Sequence, residues 1–220
     1  MDVARGVVLF GDVIASRHGS GASARWLHSL RRRLDGIYGP QRMATFEFTQ
    51  GDEIQGLLDP AADPFRAVLE STLLPHEGRD AAPRMRWVVV FGALDPGRGP
   101  ATHRTGDAFL RARALLEQAR DDQDGLLCRT GDAAADAILA GTSPVMAAII
   151  ERMTDRQRQI ARLALVDGLR QSEIADRLEV ARPTVSVSYA RADVRNLARL
   201  ISALRLIWAE GVDRVIAGSA

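Results

Sequence analysis

The sequence of 220 residues contains no lysine, so all 29 of its basic side chains are arginines. This excludes chemistry that depends on a lysine, including the P-loop lysine that contacts nucleotide phosphates and the Schiff base to a carbonyl cofactor. A kinase or ATPase of the Walker type is excluded for the same reason. Because arginine keeps its charge and presents a planar set of donors, any anion that this protein binds would meet fixed positive charge.

Cysteine and long apolar runs are also scarce. Cys128 is the only cysteine, which excludes an internal disulfide and a zinc site built on paired cysteines, and we expect it to be a small buried apolar residue. No stretch approaches eighteen consecutive apolar residues, and the amino-terminal segment becomes acidic at Asp12 before a signal-peptide core develops. The sequence therefore predicts a soluble, cytoplasmic protein without a membrane partner.

The net charge of +1 averages two unequal parts of the chain. Residues 1–150 contain 17 arginines and 19 acidic residues, whereas residues 151–220 contain 12 arginines and 9 acidic residues. The carboxyl-terminal part is therefore the basic one. Its excess of three positive charges is modest for a DNA-binding surface, so we expect one copy to bind DNA weakly and a homodimer to double the contact.

Residues 1–142 show alternating strand and helix patterns. A continuous apolar run at residues 7–10 predicts a buried strand that leads into Gly11 and Asp12. Residues 45–58 have the alternation and polar centre of a β-hairpin, with Gly51, Asp52 and Glu53 at its tip. Further helices and strands are predicted, in order, at residues 24–37, 63–73, 86–91, 107–120 and 125–129. This succession predicts a ferredoxin-like α+β domain over residues 1–142.

Two carboxylates converge in that fold. The first strand and the hairpin are neighbours in a ferredoxin-like sheet, so Asp12 and Asp52 are expected to approach one another. Close carboxylates repel unless one is protonated or a cation lies between them, and hard oxygen ligands favour Mg²⁺. Gly11 and Gly51 beside them would let the backbone approach a phosphate. The plainer interpretation of the two aspartates is a helix cap and a hairpin turn.

Three blocks of this region carry a resemblance: FGDVIASR from residue 10, FTQGDEIQGLL from residue 48 and GDAFLRARALLEQAR from residue 106. In this order they resemble the SatD family of bacterial proteins across roughly the first 130 residues. More distantly, the layout is similar to the palm-like domains of class III nucleotide cyclases and GGDEF-type diguanylate cyclases. The resemblance implies that Asp12 and Asp52 are metal ligands for Mg²⁺ on a nucleoside triphosphate.

The remaining candidate residues of the first domain surround that predicted metal pair. Glu53 follows Asp52, and strand alternation leaves open whether it points toward the site. Arg17 and Arg113 are the candidate phosphate contacts, or else surface ion-pair partners. The chain departs from class III cyclases at Leu110, which stands in place of a catalytic asparagine, and at Arg113, which comes one residue early. These departures favour nucleotide binding over turnover.

Residues 143–220 show helical patterns only. The segment QSEIADRLEVARPTVSVSYARA from residue 171 resembles the helix-turn-helix of sigma factor region 4 and of response regulators, which predicts a DNA-binding domain over residues 143–220. The cap positions Arg170 and Ala181 depart from the serine or threonine usual there. A final helix repeats apolar residues at 194, 197, 201, 204 and 208, a spacing that serves either a dimer or packing within the domain.

The second helix of the predicted motif carries the candidate DNA contacts. If its apolar residues face inward, a polar stripe faces outward, and the start of such a helix enters the major groove, where arginine commonly contacts guanine. The predicted contacts to bases or phosphates are Arg182, Thr184 and Ser188, and those to the backbone are Arg191 and Arg195. The plainer interpretation is a helical module for protein contacts.

The favoured hypothesis is a DNA-binding transcriptional regulator whose first domain binds a nucleotide or its metal complex as a sensor. The alternative is an enzyme, a Mg²⁺-dependent nucleotidyl cyclase or another nucleotide-processing protein, with an accessory helix-turn-helix domain. A third hypothesis is a DNA-binding protein whose first domain serves only for dimerisation.

Overall fold

Five strands, eight α-helices and two short 3-10 helices lie in the described part of the chain, which in this computed structural model covers residues 4–14, 21–49, 52–74 and 83–218. The strands are β1 (Arg5–Val13), β2 (Arg42–Phe48), β3 (Glu53–Leu58), β4 (Met85–Ala93) and β5 (Leu126–Arg129). The helices of the first part are α1 (Gly21–Tyr38), α2 (Phe65–Thr72) and α3 (Asp107–Asp121). The later helices are α4 (Ala133–Glu151), α5 (Asp155–Leu165), α6 (Gln171–Arg177), α7 (Arg182–Arg191) and α8 (Val194–Ala217).

The strands form one sheet in the order β2-β3-β1-β4-β5. The first four pair antiparallel in the order of a split βαβ motif, and β5 joins β4 in parallel after the crossover through α3. The predicted α+β sheet is therefore confirmed. One detail differs: Glu53 begins β3 instead of lying at the hairpin tip, because it pairs directly with Asp12 of β1.

Both faces of the sheet are covered, which explains the continuous apolar run of β1. Val7 and Leu9 join the larger core cluster, to which α1, α2, α4 and α8 contribute. Val8 and Phe10 join a second cluster with α3 on the opposite face. Successive side chains of a strand point to opposite faces, so a strand buried on both sides has no polar alternation.

Glycine at position 106 sets the start of α3. Gly106 has φ 131°, and a Cβ there would lie 2.7 Å from the Cα of Leu94, so a larger residue would be both strained and blocked. The chain thus turns tightly against the end of β4 before α3 crosses the sheet.

Helix α4 runs through the boundary expected between residues 142 and 143. Pro144 lies inside the helix, and Ser143 Oγ donates to Leu139 O at 2.7 Å beside it. Among the described helices, α4 is long and apolar enough to cross a bilayer by length and composition, a test that core helices of soluble proteins also pass. Here α4 packs against β5 and α8 and buries Leu139, Met146 and Ile150.

The last four helices divide between two cores. Helices α5, α6 and α7 enclose a small cluster around Ile160, Ile174 and Val185. Helix α8 instead buries its predicted apolar repeat in the larger core, where Trp208 packs edge-on against Phe65 of α2 with ring centroids 6.3 Å apart. The repeat therefore serves packing within the chain.

Helix α2 connects the sheet to these later helices through ion pairs. The carboxylate of Glu70 is fully buried and accepts hydrogen bonds from Arg33 of α1 at 2.7 Å, Arg66 of α2 at 3.1 Å and Arg162 of α5 at 3.3 Å. Asp63, just before α2, pairs with Arg205 of α8 at 2.7 Å.

Candidate functional site

A pair of carboxylates lies on the sheet face that α3 covers. Asp12 of β1 is directly opposite Glu53 of β3, and each residue is 7% exposed. Residues opposite each other on neighbouring strands share one face, so these two side chains lie side by side. The sequence-based prediction named Asp52 as the carboxylate that approaches Asp12, whereas in the sheet the residue opposite Asp12 is Glu53.

Arginines bind both of these carboxylates. Arg120 of α3 donates from Nε to Asp12 Oδ2 and from Nη2 to Asp12 Oδ1, both at 3.1 Å. Arg86 of β4 donates to Asp12 Oδ2 at 3.4 Å, and Arg113 of α3 donates to Glu53 Oε2 at 2.6 Å. The hydrogen bond to Asp12 raises the pKa of Arg120. We call these five residues the arginine–carboxylate cluster.

Within the cluster, the positive charges of the arginines balance the negative charges of the two carboxylates. Three guanidinium groups surround two carboxylates, and Glu53 Oε1 also accepts from Gln55 Nε2 at 2.9 Å. A bidentate arginine–carboxylate pair satisfies both oxygens of Asp12, which buried charges require.

Magnesium does not fit the cluster in this arrangement. A Mg²⁺ ion needs carboxylate oxygens that are free to complete an octahedral shell, whereas Arg120 takes both oxygens of Asp12, and Arg113 and Gln55 take those of Glu53. Within the described ranges, no group of three or more His, Cys, Asp or Glu side chains is placed to hold a metal ion. Magnesium binding stays a prediction, and it requires that Arg120 leave Asp12.

The other residues predicted for this site have different positions. Asp52 is half-buried one residue before β3, and Gly51 and Arg17 lie outside the described residues. Gly11 lies in β1, where a Cβ would come within 2.8 Å of Ile54 Cγ2 and of the Trp87 ring. Glycine at this position makes room for Trp87 in the core on the face away from Asp12.

Arg86 and Arg120 are the site residues that sequence reasoning missed. Arg120 follows Arg113 by seven residues, which is two helical turns, so both lie on one face of α3. Arg86 is the second residue of the otherwise apolar strand β4 and is 8% exposed. A buried arginine needs a partner, so its position in that strand was an available signal.

A cleft of about 490 Å³ adjoins the cluster. Its apolar walls are Phe10 and Phe109, whose ring centroids are 6.0 Å apart, and the guanidinium of Arg113 stacks 4.9 Å from the centre of the Phe10 ring. Arg104 lines the same cleft, and its Nε is buried without a hydrogen-bond partner among the described residues. The cleft thus combines aromatic surface with two arginines.

The predicted DNA contacts lie on the exposed surface of α7 and at the start of α8. Val185 is the only buried residue of α7, while Arg182, Thr184 and Arg191 are exposed and Ser188 is half-buried. Arg182, Arg191 and the exposed Arg195 form no ion pair with any residue in the described ranges. These three arginines therefore carry uncompensated charge at the surface.

The polar stripe expected from Thr184 to Arg195 is not one helical face. Helix α7 ends at Arg191, Asp193 has φ 49°, and α8 then begins in a new direction. Arg195 lies in α8, beside a concave surface that Gln171, Tyr189 and Arg199 also line. The predicted contacts thus divide between two helices that meet at this surface.

No known family model matches the chain, and no curated protein matches it. Two solved structures of a bacterial light-regulated adenylyl cyclase are similar to 58% of this chain. One is 16% identical with a TM-score of 0.45 over 77% of its own length, and the other is 14% identical with a TM-score of 0.42 over 43%. A regulator of polyketide synthase expression from Bifidobacterium adolescentis is 15% identical with a TM-score of 0.26, covering 93% of this chain and 82% of its own. Similarities this low do not assign a function to the chain.

Proposed function

We propose that this protein is a DNA-binding transcriptional regulator in which α6 and α7 act as a helix-turn-helix and α7 contacts the major groove. The observation that carries the proposal is the solvent-exposed surface of α7 and the adjoining start of α8, with three arginines that no described residue neutralises. Free guanidinium groups bind phosphates and guanine edges, whereas the paired arginines of the sheet are already occupied.

The arrangement of α5, α6 and α7 suits such a contact. The turn of residues 178–181 is short, with Glu179 at φ 52°, and the three helices share one small core. Arg182 and Thr184 lie in the first turn of α7, the part of a recognition helix that approaches bases. Arg191 and Arg195 flank the far end, where phosphate contact is the expected role.

The test is the salt dependence of binding to a mixed-sequence DNA duplex, measured by fluorescence anisotropy at low ionic strength. Removing one phosphate contact reduces the slope of log K against log salt by about one. We therefore expect Arg191→Ala to weaken binding and to lower this slope by about one. The matched control, Arg98→Ala, removes an exposed arginine from the loop before α3 and should leave the slope unchanged. Absence of binding by the wild type at low salt would contradict the proposal.

A second candidate function, nucleotide binding by the first part of the chain, is favoured by the cleft beside the arginine–carboxylate cluster. Arg104, whose Nε has no hydrogen-bond partner among the described residues, suits a phosphate, and the two phenylalanine rings suit the face of a base. In this proposal the nucleotide is a sensed ligand, and membership of the SatD family is proposed along with it. The alternative is that the protein converts the nucleotide to a product, and the experiment must distinguish this from binding alone.

The second test is a thermal-shift series with ATP and GTP, each with and without Mg²⁺. We expect a triphosphate to raise the melting temperature, since ligand that binds only the folded state stabilises it. Arg104→Ala should abolish this rise, whereas Arg98→Ala in the same loop should retain it. A rise that depends on Mg²⁺ and is lost in Asp12→Asn would support the metal prediction. No rise with either triphosphate contradicts nucleotide binding, and a cyclic or hydrolysed product from labelled triphosphate identifies an enzyme.

A further inference from the structure

A second, smaller cleft lies beyond the end of β1 and at the start of β4, where the sheet meets the later helices, and Arg86 of the cluster donates to the carbonyl oxygen of its lining residue Asp124 at 2.9 Å. It measures about 190 Å³ and is lined by residues just after β1, at the start of β4, in the turn of residues 123–125 before β5, and in α2, α4 and α5. Its walls combine polar and charged side chains with an apolar part formed by Ile14, Met85, Pro144, Ala147 and Ile150. Neither the arginine–carboxylate cluster nor the α7 surface includes any of these residues.

One buried arginine stands out on this cleft. Arg158 of α5 is 2% exposed, and its Nη1 and Nη2 donate at 2.9 Å to the carbonyl oxygens of Thr72 and Glu151. Its Nε is enclosed without an acceptor among the described residues. Burying a guanidinium with an unused N–H is unfavourable, so Arg158 is suited to donate to an acceptor other than the described residues.

The two acidic residues that line the cleft do not act as the acceptor for Arg158 Nε. Glu151 forms its closest ion pair with Arg84, at 2.7 Å, and its nearer carboxylate oxygen is 3.9 Å from Arg158. Asp124 also lines the cleft, and burial together with repulsion from Asp122 raises the pKa of its carboxyl group. Neither carboxylate hydrogen-bonds to Arg158 Nε.

We propose that this cleft binds a small molecule with an apolar body and a carboxylate group, the carboxylate pairing with Arg158. A volume of about 190 Å³ limits the ligand to the size of a large amino acid side chain with its acid group. The shared chemistry is found in short branched or aryl acids and in apolar amino acids. In the amino acids the additional ammonium group would face Asp124.

The site would also couple the two parts of the chain. Its lining joins the ends of β1 and β4 to α5, and α5 packs against α7. A ligand held there bridges the sheet and the helices proposed to contact DNA. The binding proposal itself does not depend on DNA binding.

The test is isothermal titration of the full chain with two matched series: isocaproate, L-leucine and isocaproamide, and hydrocinnamate, L-phenylalanine and hydrocinnamamide. We expect saturable binding of at least one carboxylate and at least about tenfold weaker binding of its amide, since the amide cannot form the charge-assisted hydrogen bond. If the amino acids bind more tightly than the acids, the ammonium group takes part in recognition. If the acids bind more tightly, the ligand class is the simple carboxylic acid.

Two variants make the assignment specific. Ala148 is exposed and lines the cleft, so Ala148→Phe should fill it and weaken binding at least about tenfold without disturbing the fold. Ala137→Phe places the same side chain at an exposed position of α4 outside the cleft and should bind normally. Arg158→Gln should lose binding as well. Failure of every carboxylate to saturate the protein overturns the proposal, as does equal binding by the amides or by Ala148→Phe.

Discussion

At the scale of single residues, Glu70 is a carboxylate that folding removes completely from solvent. Its carboxylate is completely buried and depends on three arginines from three different helices. Burial alone would raise the pKa of Glu70, but the hydrogen bonds and charges of Arg33, Arg66 and Arg162 lower it below its ordinary value. The folded protein therefore favours the ionised form.

We predict that Glu70→Gln lowers the free energy of unfolding by about 3 kcal/mol at neutral pH, because three hydrogen bonds to the buried carboxylate lose their charge and the mostly buried Arg162 loses its counterion. A group with a lowered folded-state pKa stabilises above its unfolded pKa, and this stabilisation is lost as the pH falls through the folded-state value. The difference between variant and wild type should therefore shrink on acidification below about pH 4. Urea unfolding at several pH values measures it. Glu210→Gln, at an exposed pair with Arg214, is the control and should change stability by less than about 0.5 kcal/mol.

The residues of the sheet cluster show what sequence could predict. Asp12 is predictable because it comes directly after the apolar run of residues 7–10 and Gly11, and a partner from the hairpin follows from the expected sheet. Choosing Glu53 over Asp52 requires the register of β1 and β3, which a one-residue shift would reverse. The arginines from α3 depend on how that helix crosses the sheet, which no local pattern encodes.

At the scale of elements, the helix and strand patterns of the first 130 residues were largely predictable, because their periodicity reflects burial. Helix α4 was missed, since the sequence Gly141-Thr142-Ser143-Pro144 has the composition of a loop. Tertiary packing of its apolar face on β5 and α8 stabilises the helix in spite of that composition. The weak cap expected at Arg170 is partly compensated, since its backbone N–H donates to Glu173 at 2.6 Å.

At the scale of the whole molecule, the hydrophobic core extends from the sheet into α4 and α8. The same cluster contains Leu9 of β1, Leu139 of α4 and Trp208 of α8. The sequence predicts a division at residue 142 because strand patterns stop there, but contacts between distant helices are not visible in local patterns. The later helices thus contribute to the core that the sheet needs.

We predict that the chain unfolds in one cooperative thermal transition, because the sheet and the later helices share one hydrophobic core. Trp208→Ala should lower the free energy of unfolding of this single transition by about 3–5 kcal/mol through the cavity it creates. Calorimetry measures both. Leu206→Ala, on the same helix but 62% exposed, should change stability by less than about 0.5 kcal/mol. Two separate transitions, of which only one responds to Trp208→Ala, would show that the parts fold independently.

The single thiol of the protein lies where α4 covers the sheet. Cys128 in β5 is fully buried, and burial raises the pKa of its thiol to about 12. An alkylating reagent reaches this sulfur only in molecules whose α4 has separated from β5, because the closed form offers neither access nor thiolate. The rate of alkylation therefore reports how often α4 separates from β5. The measurement needs no introduced label, and because Cys128 is the single cysteine of the sequence, no other thiol contributes to the signal.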